Sequence, residues 1–203
     1  MLTEVQEKIV TAPLGAMLVT AGAGSGKTRV LTHRIAHVME QGIPDWAIVA
    51  LTFTNKAAAE MKHRVEAMRG HAVSMFLGTF HSFCARLLRR HIHNLDGYSA
   101  DFTIYDAKDS TKVLKEIVST GSFPHLKVDD RDPSKVVAYH LGAMKNSGKT
   151  IEQYAVEISH LDECDDIIRV IELYEKQLRA SGALDFDDLL VKVLNFLSVF
   201  LMF

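Results

Sequence analysis

Ala21-Gly22-Ala23-Gly24-Ser25-Gly26-Lys27-Thr28 is the stretch that decides the fold. It stands between Ala16-Met17-Leu18-Val19-Thr20-Ala21, a short apolar run with the pattern of a buried strand, and a helical pattern from about Lys27 to Gln41. In that strand–loop–helix context, glycines at 22, 24 and 26 followed by Lys-Thr form a phosphate-binding loop. The glycines let backbone N–H groups turn inward around a phosphate, and the helix N-terminus adds free donors and a favourable dipole. Lys27 is then placed for the β- and γ-phosphates of a nucleotide, and the Thr28 hydroxyl for Mg²⁺. The strict pattern opens on glycine; here the small Ala21 stands in that place.

Working outward, the first hundred residues alternate strand and helix patterns. Trp46 to Phe53 is a second strand candidate, followed by a helix rich in Ala, Glu, Lys and Met up to about Arg69. Val73 to Leu77 is a third, and Phe80 to about His93 is helical again. Alternation at this spacing predicts βαβ units around a parallel sheet, whose ligands gather at the C-terminal ends of the strands. After Asn94-Leu95-Asp96-Gly97 the pattern changes. Tyr98 to Leu184 is mostly helical in period, broken near Gly121 to Pro124 and Asp129 to Pro133, and Ile167 to Arg179 is an amphipathic helix ending at Ser181-Gly182.

Composition narrows the classes. With 203 residues, 48% hydrophobic and 24% charged, the chain is long enough for a buried core and is neither disordered nor fibrous. Two cysteines, Cys84 and Cys164, make no disulfide scaffold and fit a reducing, cytoplasmic setting. MLTEVQEKIV carries no apolar core of a secretory signal, and no apolar run reaches the roughly 18–20 residues that span a bilayer. The net charge of −2 hides an asymmetry: residues 1–100 hold 11 Lys and Arg against 7 Asp and Glu, residues 101–203 hold 12 against 18. The first half is the one suited to a polyanion, unless the imbalance is merely uneven surface charge. His81 and Cys84, with His91 and His93 nearby, lack the four-ligand spacing of a zinc site.

A second stretch, Ala143-Met144-Lys145-Asn146-Ser147-Gly148-Lys149-Thr150, satisfies the same relaxed phosphate-loop pattern. It follows a helical segment rather than a strand and has one glycine for a nest. Gly148 is therefore expected to end a helix, with Lys149 solvated beside it.

Five segments now fall into one order: Leu2-Thr3-Glu4-Val5-Gln6; the phosphate loop; Leu51-Thr52-Phe53-Thr54-Asn55-Lys56-Ala57-Ala58-Ala59-Glu60-Met61; Gly78-Thr79-Phe80-His81-Ser82-Phe83; and Ala183-Leu184-Asp185-Phe186-Asp187-Asp188-Leu189-Leu190. In this order they resemble the Q-motif, motifs I, Ia and Ib, and the aspartate-rich segment before motif II of superfamily 1 DNA helicases of the UvrD/Rep/PcrA type. The resemblance implies an α/β fold: an incomplete, RecA-like P-loop NTPase parallel sheet over residues 1–96, a mostly helical insertion subdomain over 97–190, and an apolar segment, 191–203, leading back toward the first. It implies ATP and Mg²⁺ as cofactors, and single-stranded DNA and duplex junctions as partners. It also implies unwinding in the 3′ to 5′ direction coupled to ATP hydrolysis, in the service of DNA repair or replication.

Residue by residue, the resemblance implies that Gln6 reads adenine, an amide being able to pair with N6 and N7. By itself Gln6 equally fits an exposed helix position. Ala21 through Thr28 would hold the phosphates and metal, with Arg29 beside the nucleotide or else simply solvated. Phe53, Thr54, Asn55, Thr79 and His81 map onto the single-stranded DNA path, the aromatic as a stacking face and the polar groups on phosphates. Their alternatives are a core Phe53 and a Thr79–His81 pair that caps the next helix. Arg86, Arg89 and Arg90 make the following helix basic, which suits either a DNA-facing surface or a solvated one.

An ATPase of this type needs an Asp-Glu pair after a hydrophobic strand. The only adjacent pair, Asp162-Glu163, follows Glu157 and His160 and is expected in an acidic turn or helix start. Asp185, Asp187 and Asp188 are not expected to follow a buried strand. The apolar tail from Leu189 suggests an element that a larger protein buries. The chain is thus expected to be an N-terminal fragment of the helicase, inactive by itself. The alternatives are a non-catalytic nucleotide- or DNA-binding module, and a small P-loop enzyme drawing its Mg²⁺ acid from Asp185, Asp187 or Asp188.

Overall fold

Thr3 begins the first helix by the chemistry expected of an N-cap: its hydroxyl accepts from the backbone N–H of Gln6, while the Gln6 side chain accepts from the N–H of Thr3. The computed structural model describes residues 2–95, 97–127 and 132–200. The expected helix break at 129–133, the turn residue 96 and the last residues of the tail, 201–203, lie wholly or partly outside them. Along the chain run α1 (Glu4–Thr11), α2 (Lys27–Glu40), β1 (Val49–Thr52), α3 (Asn55–Arg69), β2 (Phe76–Thr79) and α4 (Phe80–His91). Then follow β3 (Thr103–Tyr105), α5 (Ala107–Thr120), α6 (Pro133–Ser147), α7 (Ile151–Glu157), α8 (Cys164–Ala180), β4 (Ala183–Asp185) and α9 (Phe186–Phe200). The architecture is mixed α/β, mostly helical, with two small parallel ladders.

The chain divides into two units, Met1–Phe83 and Cys84–Phe203. In the first, β1 and β2 pair in parallel, with Val49 opposite Phe76 and Thr52 opposite Thr79. Asp45 ties the approaches to both strands: one carboxylate oxygen accepts from the Trp46 N–H, the other from the Ser74 N–H at 2.6 Å. Those backbone bonds, Ser74's first, hold its pKa below the usual carboxylate value. Ile35 and Met39 of α2, Ala50 of β1, and Met61 and Val65 of α3 form the core with Val73 and Met75.

One expected strand is absent. Ala16 to Ala21 runs without a ladder, and Met17, Leu18 and Val19 are exposed, Leu18 by 90%. A strand exists only where a neighbour takes up its N–H and C=O groups, and no described strand pairs with this run. β1 is also shorter than the apolar run that announced it, because Asp45–Ala47 turns as a 3₁₀ segment.

In the second unit, α8 buries Ile167, Val170, Ile171, Tyr174 and Leu178, one face at helical spacing, against α5, α6 and α7. A second cluster joins Cys84 and Leu88 of α4, and Ile92 just after it, to Phe102, Leu184, Leu189 and Val193. Between them β3 and β4 pair in parallel, Thr103 opposite Ala183 and Tyr105 opposite Asp185. Neither strand is legible in a segment of helical period. All three residues of β4 are buried, so Asp185 ends a buried strand and Asp187 and Asp188 follow it, contrary to expectation. Gly148 ends α6 in the left-handed conformation (φ 67°), and Thr150 caps α7 with its hydroxyl on the Gln153 N–H. The second Gly-Lys-Thr is thus a helix–helix connection, with Lys149 paired to Glu157. Among the described residues no helix is long and apolar enough to cross a membrane.

Candidate nucleotide and DNA site

The loop from Ala21 to Gly26 leads into the N-terminus of α2, and its geometry is that of a cradle. Lys27, the first residue of α2, bends back over it: Nζ donates to the carbonyls of Ala21 at 3.0 Å and Gly22 at 2.7 Å. Ser25 Oγ donates to the Gly22 carbonyl at 2.8 Å, closing the turn from the other side. Gly26 is the N-cap of α2 with φ 81°, a left-handed conformation that glycine adopts freely, and no side chain caps the N–H groups that follow. Among the described residues, the helix therefore begins with donors that no side chain caps, beneath an ammonium that rests on two carbonyl oxygens. Phosphate oxygens are stronger acceptors of both, so the residues present fit a magnesium–nucleoside triphosphate. Thr28 and Arg29 are exposed at the same helix end.

Gln6 belongs to this site structurally and not only by pattern. Its Oε1 accepts from the Thr3 N–H, and its Nε2 donates to the Ser25 carbonyl at 3.0 Å, nineteen residues away. Each amide group keeps further capacity, one N–H and one lone pair. A cavity of about 660 Å³ opens beside it, lined by Val5, Ile9, Met17, Val19, Val30 and Leu31 around Gln6 and Lys27. An apolar slot lined by an amide and an ammonium suits a base together with phosphates.

The strand-end residues converge through the sheet register. Because Thr52 stands opposite Thr79, the residues just beyond them, Phe53 to Asn55 and Phe80 to His81, leave the same edge of the ladder. Phe53 is 96% exposed, so it is not core, and Phe80 is 59% exposed. Thr54 caps α3, its hydroxyl accepting from the Ala57 N–H at 3.1 Å, and Asn55 begins that helix, exposed. Thr79 and Ser82 bond reciprocally at the start of α4: Ser82 Oγ accepts from the Thr79 N–H at 2.8 Å, and Thr79 Oγ1 from the Ser82 N–H at 3.2 Å. Thr79 is thus a helix cap, but with Ser82 rather than His81 as its partner, and His81 is exposed beside it. Arg89 is committed elsewhere, donating to the Ala100 carbonyl at 2.7 Å with its guanidinium 4.1 Å from the centre of the Phe102 ring.

The aspartate-rich segment serves a different purpose. Asp185 caps α9, and its box with Asp188 is reciprocal. The buried Lys145 of α6 lies 2.7 Å from Asp185, 3.0 Å from Asp188 and 2.8 Å from Glu175 of α8. Tyr174 Oη donates to Asp185 Oδ2 at 3.0 Å. Burial alone would lower the Lys145 pKa, but the carboxylates of Asp188, Glu175 and Asp185 more than reverse it and hold it above the usual lysine value. Burial pushes Asp188 up to about 6, against the pull of Lys145. Two of the three aspartates weighed as metal acids are therefore buried around a lysine, and no metal-holding group of carboxylates, histidines or cysteines occurs among the described residues. Asp162 lies in a turn and Glu163 at the N-cap of α8, where an acidic turn was expected.

Sequence reasoning missed two residues that organise these sites. Arg34 stands seven residues after Lys27, two helical turns along α2, and that spacing was its only signal. Lys145 sat inside the second phosphate-loop pattern. Its signal was the acid cluster forty residues on, which needs a counter-charge if its segment is buried.

Comparison with known proteins shows the family of the chain. The chain is 40% identical over 197 residues to the ATP-dependent DNA helicase PcrA of Bacillus subtilis, covering 96% of this chain and 26% of that protein. It is 38% identical to DNA helicase II of Haemophilus influenzae (95% and 26%) and to the ATP-dependent DNA helicase UvrD1 of Mycobacterium tuberculosis (96% and 25%). The chain thus spans about a quarter of the length of these relatives. The family described as the UvrD/REP helicase N-terminal domain matches residues 2–200, and the chain belongs to that family.

Proposed function

We propose that this chain is the ATP- and single-stranded-DNA-binding N-terminal portion of an ATP-dependent 3′–5′ DNA helicase. Residues 1–96 would form the first part of a RecA-like P-loop subdomain, 97–190 a helical insertion, and 191–203 a segment leading back to the first. The observation that carries the reading is Lys27 Nζ resting on the Ala21 and Gly22 carbonyls, above a helix start that no side chain caps.

Bound magnesium–ATP supplies the phosphoanhydride bond whose hydrolysis drives unwinding. The chain's own residues bind and orient it. Ala21, Gly22, Ala23, Gly24, Ser25 and Gly26 turn backbone donors toward the phosphates; Lys27 neutralises their charge; Thr28 offers its hydroxyl to Mg²⁺; Arg29 stands beside the nucleotide; Gln6 reads adenine. Phe53 stacks a base of single-stranded DNA, near the duplex junction, while Thr54, Asn55, Thr79 and His81 hold its backbone. The setting is the cytoplasm. The only adjacent Asp-Glu pair lies in a turn before α8 rather than at a strand end, which supports a chain that binds nucleotide without turning it over by itself.

The test is binding of a fluorescent ATP analogue with Mg²⁺ to the wild type, Lys27→Ala and Lys149→Ala, with phosphate release followed in the same samples. Binding lost only in Lys27→Ala, without release, is the expected result. Sustained release by the wild type would mean that a catalytic acid is present after all.

A further inference from the structure

Arg34 lines the same cavity as the phosphate loop, and its guanidinium is committed to the element that carries Gln6. Nη1 donates to the carbonyls of Ile9, Val10 and Ala12 at 3.0, 3.2 and 2.9 Å, and Nη2 to that of Pro13 at 3.1 Å. These are the terminal carbonyls of α1 and of the residues just after it, which have no partner within the helix and carry the negative end of its dipole. A planar fork with five donors suits several carbonyls at once where a lysine ammonium, a point charge with three donors, does not.

α1 has eight residues, too short to hold its shape by propensity alone. It is fastened at both ends to parts of the same site: at its C-terminus by Arg34 of α2, at its N-terminus by Gln6 Nε2 on the Ser25 carbonyl. The contact at that second end is close, since a Cβ at Gly26 would come within 3.2 Å of Gln6 Nε2. Arg34 and Gln6 both line the 660 Å³ cavity, and Lys27 lies two turns earlier on the helix that presents Arg34.

We propose that Arg34 is a positioning residue for base recognition: by capping α1 it fixes the Gln6 amide in the cavity wall, and so sets nucleotide selectivity through Gln6 rather than by reading the base itself. The proposal rests on the nucleotide-site reading above. It separates two functions within one cavity. Phosphate affinity belongs to α2 and its loop, whereas base selectivity depends on how α1 is docked.

The experiment measures equilibrium affinities of ATP, GTP and inorganic tripolyphosphate, each with Mg²⁺. It uses the 203-residue wild type, Arg34→Ala, Arg34→Lys, Gln6→Ala, and the double variant Gln6→Ala/Arg34→Ala. Arg34→Ala is expected to lower the ATP-over-GTP preference by about tenfold, to leave tripolyphosphate binding within about twofold, and to add nothing in the Gln6→Ala background. Arg34→Lys, which keeps the charge and stays folded if Arg34→Ala does not, recovers part of the preference. Equal losses for all three ligands would reduce Arg34 to a structural residue and overturn the proposal, as would an unchanged preference or additive effects with Gln6→Ala. A wild type that binds none of the three would overturn the nucleotide-site reading itself, which is a different result from a wild type that prefers ATP whatever stands at position 34.

Discussion

Lys145 Nζ lies 2.7 Å from Asp185 Oδ2, joining residues forty apart in the chain. The contact fastens the middle of the helical unit: Lys145 comes from α6, Asp185 ends β4, and the same carboxylate caps α9 through its other oxygen. Tyr174 of α8 adds a second donor, and Glu175 and Asp188 complete a cluster of one cation and three carboxylates. A lone ammonium at 4% side-chain exposure needs such partners, because an unpaired buried charge is far costlier than a paired one.

Removing that ammonium leaves three carboxylates facing one another. Lys145→Ala is therefore expected to destabilise the chain by about 3–5 kcal/mol, seen as a lower urea midpoint. The double change Lys145→Met with Asp185→Asn should cost less than Lys145→Ala alone, since it removes charge from both sides. A double variant as unstable as Lys145→Ala would mean that packing, not charge, governs the site.

The acidity of Asp188 gives the cluster a pH signature. Its folded pKa is raised to about 6, so the folded chain holds that proton more tightly than the unfolded chain, in which an aspartate titrates near 4. Its contribution to stability is therefore present below about pH 4 and is lost as pH rises through about 6. Comparing thermal midpoints of wild type and Asp188→Asn between pH 4 and 7 isolates it. The difference should shift in favour of Asp188→Asn as pH rises, and a pH-independent difference would contradict it. Carboxylates held low by backbone donors, such as Asp45, act in the opposite sense and cancel in the comparison.

The two strand-end threonines show what the chemistry of a pattern leaves open. Thr54 and Thr79 cap helices, as their types permit at any strand–helix junction, and capping is compatible with a phosphate contact by the same segment. Phe53 is the residue that discriminates, because its side chain is almost fully exposed among the described residues. Phe53→Ala should leave the thermal midpoint nearly unchanged and weaken single-stranded DNA binding by about 1–3 kcal/mol, measured by fluorescence anisotropy with an unstructured oligonucleotide. An unchanged affinity would remove Phe53 from the DNA path.

How much of this was legible beforehand follows from the range over which each signal acts. Caps, glycine helix ends and apolar faces are local, so α2, α3, α6 and α8 stood within a few residues of their expected bounds. The run from Ala16 to Ala21 has the composition of a strand but no ladder, because pairing is a property of a neighbour and not of the run itself. β3 and β4, three residues each, are too short to impose an alternation, and their pairing joins segments eighty residues apart. Lys145 and Arg34 were hidden for the same reason. Each is an ordinary helix cation until the carboxylates or carbonyls that it meets in space are known.

The two Gly-Lys-Thr stretches allow a final test within one chain, because their glycines have the same backbone conformation and different surroundings. Gly26 has φ 81° and Gly148 has φ 67°, so an alanine at either is strained by a comparable amount, about 1–2 kcal/mol. At Gly148 nothing lies within 4 Å of the added methyl, whereas at Gly26 it meets Gln6 Nε2 at 3.2 Å. Gly148→Ala is thus expected to lower stability modestly and leave nucleotide affinity at the wild-type value. Gly26→Ala should lower stability and also weaken ATP by at least tenfold, since it disturbs both the helix start proposed to hold the phosphates and the Gln6 amide proposed to read the base. Isothermal titration with magnesium–ATP, together with urea melts of both variants, measures the pair. Equal loss of ATP affinity in the two would mean that binding follows global stability, and the loop at Gly26 would then hold no special place.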